Sequence, residues 1–400
     1  MIDTTNQYNK IVYTTLIVTT IVLIFVSNTL SISYKEALNF FENNSLLSLL
    51  TNVSTSIFGQ NDIALRLPFI TFYFSSVILI YLNTKTYFKY QSDRVASTII
   101  FMFLPGVLSA SLLVNSAIVV TFCTLFYIYY YQKTQKHNYV FLIAFLFVDN
   151  SFAIFFLAIF FYSLSKRDNL MIYVSLILFG LSMGVYGFES TGKPKGFFID
   201  TFAIYASIFS PFLFLYFFYS LYRMGIKKQT SFIWYISATA LIFSIVFSFR
   251  QKIYIEDYAP YVVIAIPLML KLFMHSYRVR LKQFRKKHFY FALLVLITLS
   301  LNIFITIFNK PLYLVLDNPK KHFVYKYHLV KELSEKLKEL NINHISSNDE
   351  ELLLRLRFYK VYEGDKYFIS LKKLDNYDIK IPIVYYGVEV ATAYINKEDE

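Results

Sequence analysis

Apolar segments long enough to cross a bilayer recur through the first three quarters of the chain. They lie at about 11–32, 65–83, 95–112, 114–131, 170–188, 200–222, 231–249, 258–275 and 289–308. Such segments satisfy their backbone within lipid by folding as helices. A further stretch, 139–164, is longer and is interrupted by Asp149-Asn150-Ser151. It is either one tilted span with a buried Asp or two half-spans meeting at a polar tip. With 56% hydrophobic and only 16% charged residues, the composition excludes a soluble globular enzyme. The expected fold is a polytopic α-helical membrane protein of about 10–11 membrane segments, one of them a re-entrant or broken hairpin, with a small C-terminal α/β domain. Ile11 to Ile32 is too long and unbroken for a cleaved signal peptide and reads as a retained span.

The net charge of +13 is uneven. From Asn309 onward acids and bases balance, so the excess lies in the membrane part, where it reports topology and argues against a nucleic-acid partner. Placing the N-terminus in the cytoplasm, with 139–164 entering and returning, puts the basic cluster at 278–287 inside. A single crossing of 139–164 would put that cluster outside. The hairpin is therefore expected, with Asp149 near the outer surface, as is an extracytoplasmic C-terminal domain. Asp149 also has a plain reading as a cap or hairpin-tip residue. Residues 278–287 read as an anchor that contacts anionic lipid.

The expected division is 1–310, a transmembrane domain with an outer juxtamembrane loop at 33–64, and 311–400, a soluble extracytoplasmic domain. In the latter, Val324 to Leu340 reads as an amphipathic helix, Ile342 to Ser346 as a strand, and Asn348 to Arg357 as a helix capped by Asn348 or Asp349. Tyr367 to Leu371 and Ile381 to Tyr386 read as strands, and Gly387 turns the latter into Val390 to Ile395 as a hairpin.

Chemistry is sought first in Ser33 to Pro68, an acid-bearing connection held beside apolar runs. Glu36 and Glu42 are the catalytic candidates, because a carboxylate at the outer surface can take a proton from an acceptor attacking an activated sugar. Six residues apart, they do not share a helix face. Solvated charges on an interfacial helix are the alternative. Lys193 and Lys195 in GKPKG, with Arg250 and Lys252 in FRQKIYIEDY, place basic residues in loops that carry few by default. A polyprenyl phosphate headgroup would account for them; so would local pairing with Glu189, Asp200, Glu256 and Asp257. Arg66 either binds phosphate or snorkels. Lys35, Asp149, Glu256 and Asp257 complete the polar candidates. The single cysteine, Cys123, and six scattered histidines provide no metal cluster, so no metal site is assigned and any divalent-metal dependence is left open.

The stretch from SYKEALNFF to IFGQNDIALRLP resembles the opening of the family 39-type, aminoarabinose-transferase-like glycosyltransferases of the GT-C class, which include dolichyl-phosphate-mannose protein mannosyltransferase-like proteins. Phe58, Gly59, Ala64, Arg66, Leu67 and Pro68 match that family's Phe-Gly-x-x-x-x-Ala-x-Arg-Leu-Pro phrase. LPG at 104–106 and IEDYAPYVVIAIP at 255–267 are looser matches. The resemblance implies transfer of a sugar from a polyprenyl-phosphate donor, the only cofactor-like molecule expected, to an envelope lipid, glycan or protein outside the cytoplasmic membrane. Membrane lipids, the lipid-linked sugar and the envelope acceptor are the partners it implies. The catalytic Asp of the family's Asp-Glu pair is Lys35 here, and Glu36 remains. Either Glu36 has taken the role, or the chain is a non-catalytic relative acting as an envelope scaffold. A lipid-linked glycan transporter is the third reading, supported by the broken 139–164 segment.

Overall fold

In the computed structural model, which describes residues 2–187, 196–374 and 376–397, the chain is helical up to Ile307 and mixed thereafter. The first helices are α1 (Ile2–Thr29), α2 (Tyr34–Phe41), α3 (Leu46–Phe58), α4 (Asp62–Asn83), α5 (Gln91–Met102), α6 (Pro105–Leu112) and α7 (Ala117–Thr134). Then come α8 (Tyr139–Leu146), α9 (Phe152–Lys166), α10 (Asn169–Tyr186), α11 (Phe198–Phe209), α12 (Pro211–Ile226) and α13 (Phe232–Ser248). The series closes with α14 (Ala259–Val263), α15 (Ile266–Val279) and α16 (Lys282–Ile307). Among the described residues five stretches are long and apolar enough to cross a membrane, and two bent helix pairs raise that to seven. The shorter apolar helices α3, α9 and α13 accompany them. This is a polytopic α-helical membrane protein with a small C-terminal domain, as the hydropathy required.

Two segments expected to be single continuous spans are broken. Residues 95–112 bend by 52° between α5 and α6, and 200–222 by 104° between α11 and α12. Proline explains both. Pro105 and Pro211 stand at the first position of the second helix, where they remove a backbone donor and push the preceding residue out of the helical region. Ser210, before Pro211, takes φ +78°. The 139–164 stretch is interrupted at 147–151, as read from its Asp149-Asn150-Ser151. α8 has eight residues, about 12 Å of helix, far short of a crossing.

The described residues form two compact units. One comprises residues 1–21, 69–111 and 115–303. Its interior is aromatic: Phe155 stacks on Tyr261 at 6.1 Å, and Phe145 on Phe152 at 4.6 Å. Glycine allows close approach at Gly225, where a Cβ would come within 2.9 Å of the Trp234 ring. The other unit comprises 22–68, 112–114 and 304–400, so the C-terminal sheet shares a compact body with residues that precede α2 and run through the start of α4.

In that second unit, α17 (Val330–Glu339) and α18 (Glu350–Phe358) pack on a four-stranded sheet of β1 (His344–Ser346), β2 (Tyr362–Ser370), β3 (Ile379–Tyr385) and β4 (Val388–Lys397). The order is β1-β2-β4-β3; β1 and β2 are parallel and the other pairs antiparallel. Alternation sets the register: Ile381 faces Ala393 and Ile383 faces Ala391, with Ile381, Ile383, Ala393 and Ile395 buried against Leu333, Leu337 and Leu356. Tyr386 and Gly387, both at positive φ, make the two-residue hairpin turn that the sequence placed at Gly387. Asp349 caps α18 by accepting the Leu352 N–H at 3.1 Å. The amphipathic helix expected from Val324 begins only at Val330. Leu329 has φ +81° and ψ −56°, and the Val330 N–H bonds the His328 carbonyl at 3.1 Å, a tight turn that no helix can run through.

Beside that turn His328 is buried, with Nδ1 2.9 Å from the Tyr313 hydroxyl. Burial, then the charges of Lys310 and His322, hold its imidazole down to about 3. The folded state therefore binds fewer protons than the unfolded chain below the ordinary histidine value of about 6.5. Stability of this unit should be level above that value and fall as pH drops toward 3, by at most about 1.4 kcal/mol per pH unit from this group. Chemical denaturation of the full chain across this range, read from the sheet, checks it: His328→Asn should flatten the slope. In the same core, Leu356→Ala should cost about 2–5 kcal/mol by that measurement.

Candidate functional site

The phrase that singled out Arg66 places it at the start of α4 with its side chain fully buried. Its guanidinium donates to the carbonyls of Ser27 (3.1 Å), in the last turn of α1, and of Leu30 (2.8 Å) and Ser31 (3.0 Å), just after it. A helix C-terminus is electronegative and its last carbonyls lack partners, so an arginine fork is a natural cap. The same guanidinium bonds Glu36 Oε2 at 3.1 Å and lies 3.8 Å from Asp62, one helical turn before it. Glu36 is the third residue of α2 and closes a capping box with Ser33: its Oε2 accepts the Ser33 N–H at 2.9 Å. Its Oε1 accepts the Val114 N–H at 3.0 Å.

The C-terminal residues complete this cluster. The Tyr359 hydroxyl donates to Asp62 Oδ1 at 2.6 Å and accepts the Ile32 N–H at 3.0 Å. Burial, and then the Asp62 charge, hold the Tyr359 phenol well above its ordinary range, which keeps it a donor. Lys331 pairs with Asp62 Oδ2 at 3.0 Å and donates to the Asn28 carbonyl at 2.7 Å. Arg355 donates to the carbonyls of Ile32 (2.8 Å) and Lys326 (2.8 Å). Burial lowers its pKa from a value so high that it stays charged. Phe40 meets Phe358 edge-on at 5.4 Å, packing α2 against α18.

Two of the sequence candidates lie in this cluster. Arg66, listed for donor phosphate, spends its donors on backbone and carboxylates, and no face of it is open to a ligand. Glu36 is 2% exposed and accepts three hydrogen bonds from the protein. Glu42 ends α2 and is exposed, as is Lys35. Asp62, Lys331, Arg355 and Tyr359 were not among the sequence candidates. Asp62 had a signal, its i,i+4 spacing to Arg66; the other three are about 300 residues away in sequence.

The remaining candidates fall in the other unit, where a cleft of about 210 Å³ opens beside α9, α10 and α13. Lys252, Asp257, Asn150 and Ser151 give it polar groups; Leu157, Phe179, Met183 and Phe243 give it an apolar wall. The interruption at 147–151 and the 250–258 stretch, separate motifs in sequence, thus reach one cleft. Asp149 shapes that interruption by accepting the Ser151 N–H at 2.9 Å, an Asx turn just before α9. The Ser151 hydroxyl lies 3.4 Å from that of Tyr261, which fixes the start of α9 against α14. Arg250 and Glu256 are exposed and do not line the cleft. Lys193 and Lys195 lie outside the described residues; Gly187, the last residue described before them, lines the cleft.

No family model matches the chain, and no curated protein matches it by sequence. The structure is similar to the crystal structure of ArnT from Cupriavidus metallidurans in the apo state, at a TM-score of 0.50 and 13% identity, over 88% of this chain and 74% of that one. The likeness is one of fold. It shows a shared polytopic membrane fold and no particular family.

Breaking the buried pair leaves a charge uncompensated, so Arg66→Met or Glu36→Gln alone should cost about 3–5 kcal/mol. The double variant should cost less than the sum of the two. A double-mutant cycle on the full chain in detergent, read by denaturation midpoint, checks this.

Proposed function

We propose that the chain is a membrane glycosyltransferase of the GT-C type, taking a sugar from a polyprenyl-phosphate donor and passing it to an envelope lipid, glycan or protein. The reading is carried by one observation: within an ArnT-like fold, a cleft joins a lysine, a carboxylate and an apolar wall. A lipid phosphate asks for that combination, with apolar surface for the prenyl chain and a cation for the headgroup. In this reading Lys252 holds the donor phosphate. The acceptor oxygen attacks the anomeric carbon, the bond from that carbon to the phosphate oxygen breaks, and the phosphate leaves with the electron pair. Asp257 is the carboxylate in the cleft that can take the acceptor proton. Glu36 supports the fold around α2 and takes no part in proton transfer. The family-39 likeness of the FG…ARLP phrase agrees with this reading, which puts the cleft on the outer side of the inner membrane.

A second reading, a non-catalytic scaffold, draws on Lys35 standing exposed where the family has its acid and on Glu36 being fully engaged. Mass spectrometry of envelope lipids, glycans and glycoproteins from a deletion strain separates the two. Deletion should remove a sugar-sized mass from one component, and wild-type chain should restore it. Lys252→Ala and Asp257→Asn, present at wild-type levels, should not. Glu36→Gln should restore it in proportion to the folded protein it yields. Full restoration by both cleft variants rejects the donor site, and an unchanged envelope on deletion favours the scaffold.

A further inference from the structure

The cleft at Lys252 draws on the first half of α9, at Ala153, Ile154 and Leu157. At the other end of that helix, which is about 22 Å long, a polar pocket of about 300 Å³ opens. Tyr162, Ser163 and Lys166 line it from α9, and Lys136 and His137 from the turn between α7 and α8. Packed rings support it. The His137 ring lies 4.7 Å from that of Tyr131, and the Tyr131 and Tyr162 hydroxyls are 3.1 Å apart. His137 Nδ1 is 2.8 Å from the Tyr127 hydroxyl. These contacts tie α7 to α9, so the protein itself shapes the pocket.

Two lysines and one acid belong to the lining. Lys136 is exposed, and the Thr134 hydroxyl pins its backbone, accepting its N–H at 3.3 Å and donating to its carbonyl at 3.2 Å. Lys166 is exposed as well, with Nζ 5.9 Å from the centre of the Tyr162 ring. The acid, Asp168, caps α10 by accepting the Met171 N–H at 3.2 Å. Among the described residues neither lysine has a carboxylate within ion-pair distance, so the pocket keeps a positive excess. It also holds a polar group that the protein leaves unanswered. Ser163 is 1% exposed, and its hydroxyl has no hydrogen-bond partner. A serine within a helix can return its proton to the carbonyl one turn back. This one does not, and a buried hydroxyl left unpaired costs free energy that a bound acceptor recovers. Two ammonium groups and a hydroxyl in want of an acceptor match a doubly charged phosphate, which offers several acceptor oxygens.

We propose that this pocket is a binding site for a phosphate monoester, with the phosphate oxygens on Lys136, Lys166 and the Ser163 hydroxyl. A soluble phosphate ester and a phosphomonoester lipid both present that group. The site is separate from the cleft at Lys252, involves no sugar transfer, and stands whether or not that cleft holds a donor.

Titration calorimetry of the full chain in a neutral detergent tests this with three probes. Glycerol 1-phosphate and dihexanoylphosphatidic acid are monoesters; dihexanoylphosphatidylglycerol is a singly charged diester. At least one monoester should bind on the order of tenfold more tightly than the diester. Lys136→Ala with Lys166→Ala should weaken that binding on the order of a hundredfold, and Lys136→Arg with Lys166→Arg, which keeps the charge, should preserve most of it. Ser163→Ala removes an unpaired hydroxyl and so spares the fold, yet it should weaken monoester binding about tenfold. Lys252→Ala should leave it unchanged. Glycerol phosphate bound as tightly as phosphatidic acid supports the site and assigns it to a soluble phosphate; a preference for phosphatidic acid supports it and assigns a lipid headgroup. Monoesters bound no better than the diester overturn the proposal. So does affinity that survives the alanine pair or Ser163→Ala, which would mean attraction to loose surface charge, or affinity lost in Lys252→Ala, which would place the phosphate in the other cleft.

Discussion

The second compact unit depends on a single buried guanidinium. Arg66 joins three helix ends: it caps the carbonyls that close α1, pairs with the carboxylate that opens α2, and sits one turn from Asp62 at the head of α4. Removing such an ion from water costs several kcal/mol, and that cost is met only when nearly every donor finds an acceptor. Four short hydrogen bonds do this, and Nε alone lacks a partner. Helix dipoles add to the arrangement, because the cation stands at a C-terminus and the Glu36 carboxylate at an N-terminus. The residues that follow α1 are thereby fixed: the Ile32 carbonyl accepts from Arg355, the Ile32 N–H donates to Tyr359, and the Ser31 hydroxyl accepts from Arg355. A conspicuous charged motif beside an apolar span is here a structural fastening.

That outcome changes where chemistry is to be sought. A general base needs a lone pair that a substrate can reach, and the Glu36 carboxylate is buried with three hydrogen bonds to the protein. The cleft beside α9 has what the buried cluster lacks: polar groups at an opening and an apolar wall behind them. It forms because the 147–151 interruption exposes backbone and short polar side chains just where the chain after α13 returns. The break in the apolar pattern and Lys252 border one cleft, though a hundred residues separate them.

Hydropathy by itself determined the architecture. Bilayer thickness sets segment length, and lipid forces the backbone into helices, so apolar runs such as 11–32 and 289–308 were readable as α1 and α16 without any tertiary information. Alternation and a glycine turn likewise made the β3–β4 hairpin legible, because strand patterning is a local signal. The breaks at Pro105 and Pro211 were also local, but apolar content on both sides masked them. Only the tertiary structure decided the roles of the charged residues. An arginine that binds phosphate and one that caps a helix have the same sequence neighbours; they differ in what surrounds the guanidinium. For Arg66 those surroundings come from α1 and α2, and its partner Asp62 is shared with Lys331 and Tyr359, nearly 300 positions away. Such contacts follow from how the helices and the sheet pack, and no pattern along the chain encodes them one residue at a time.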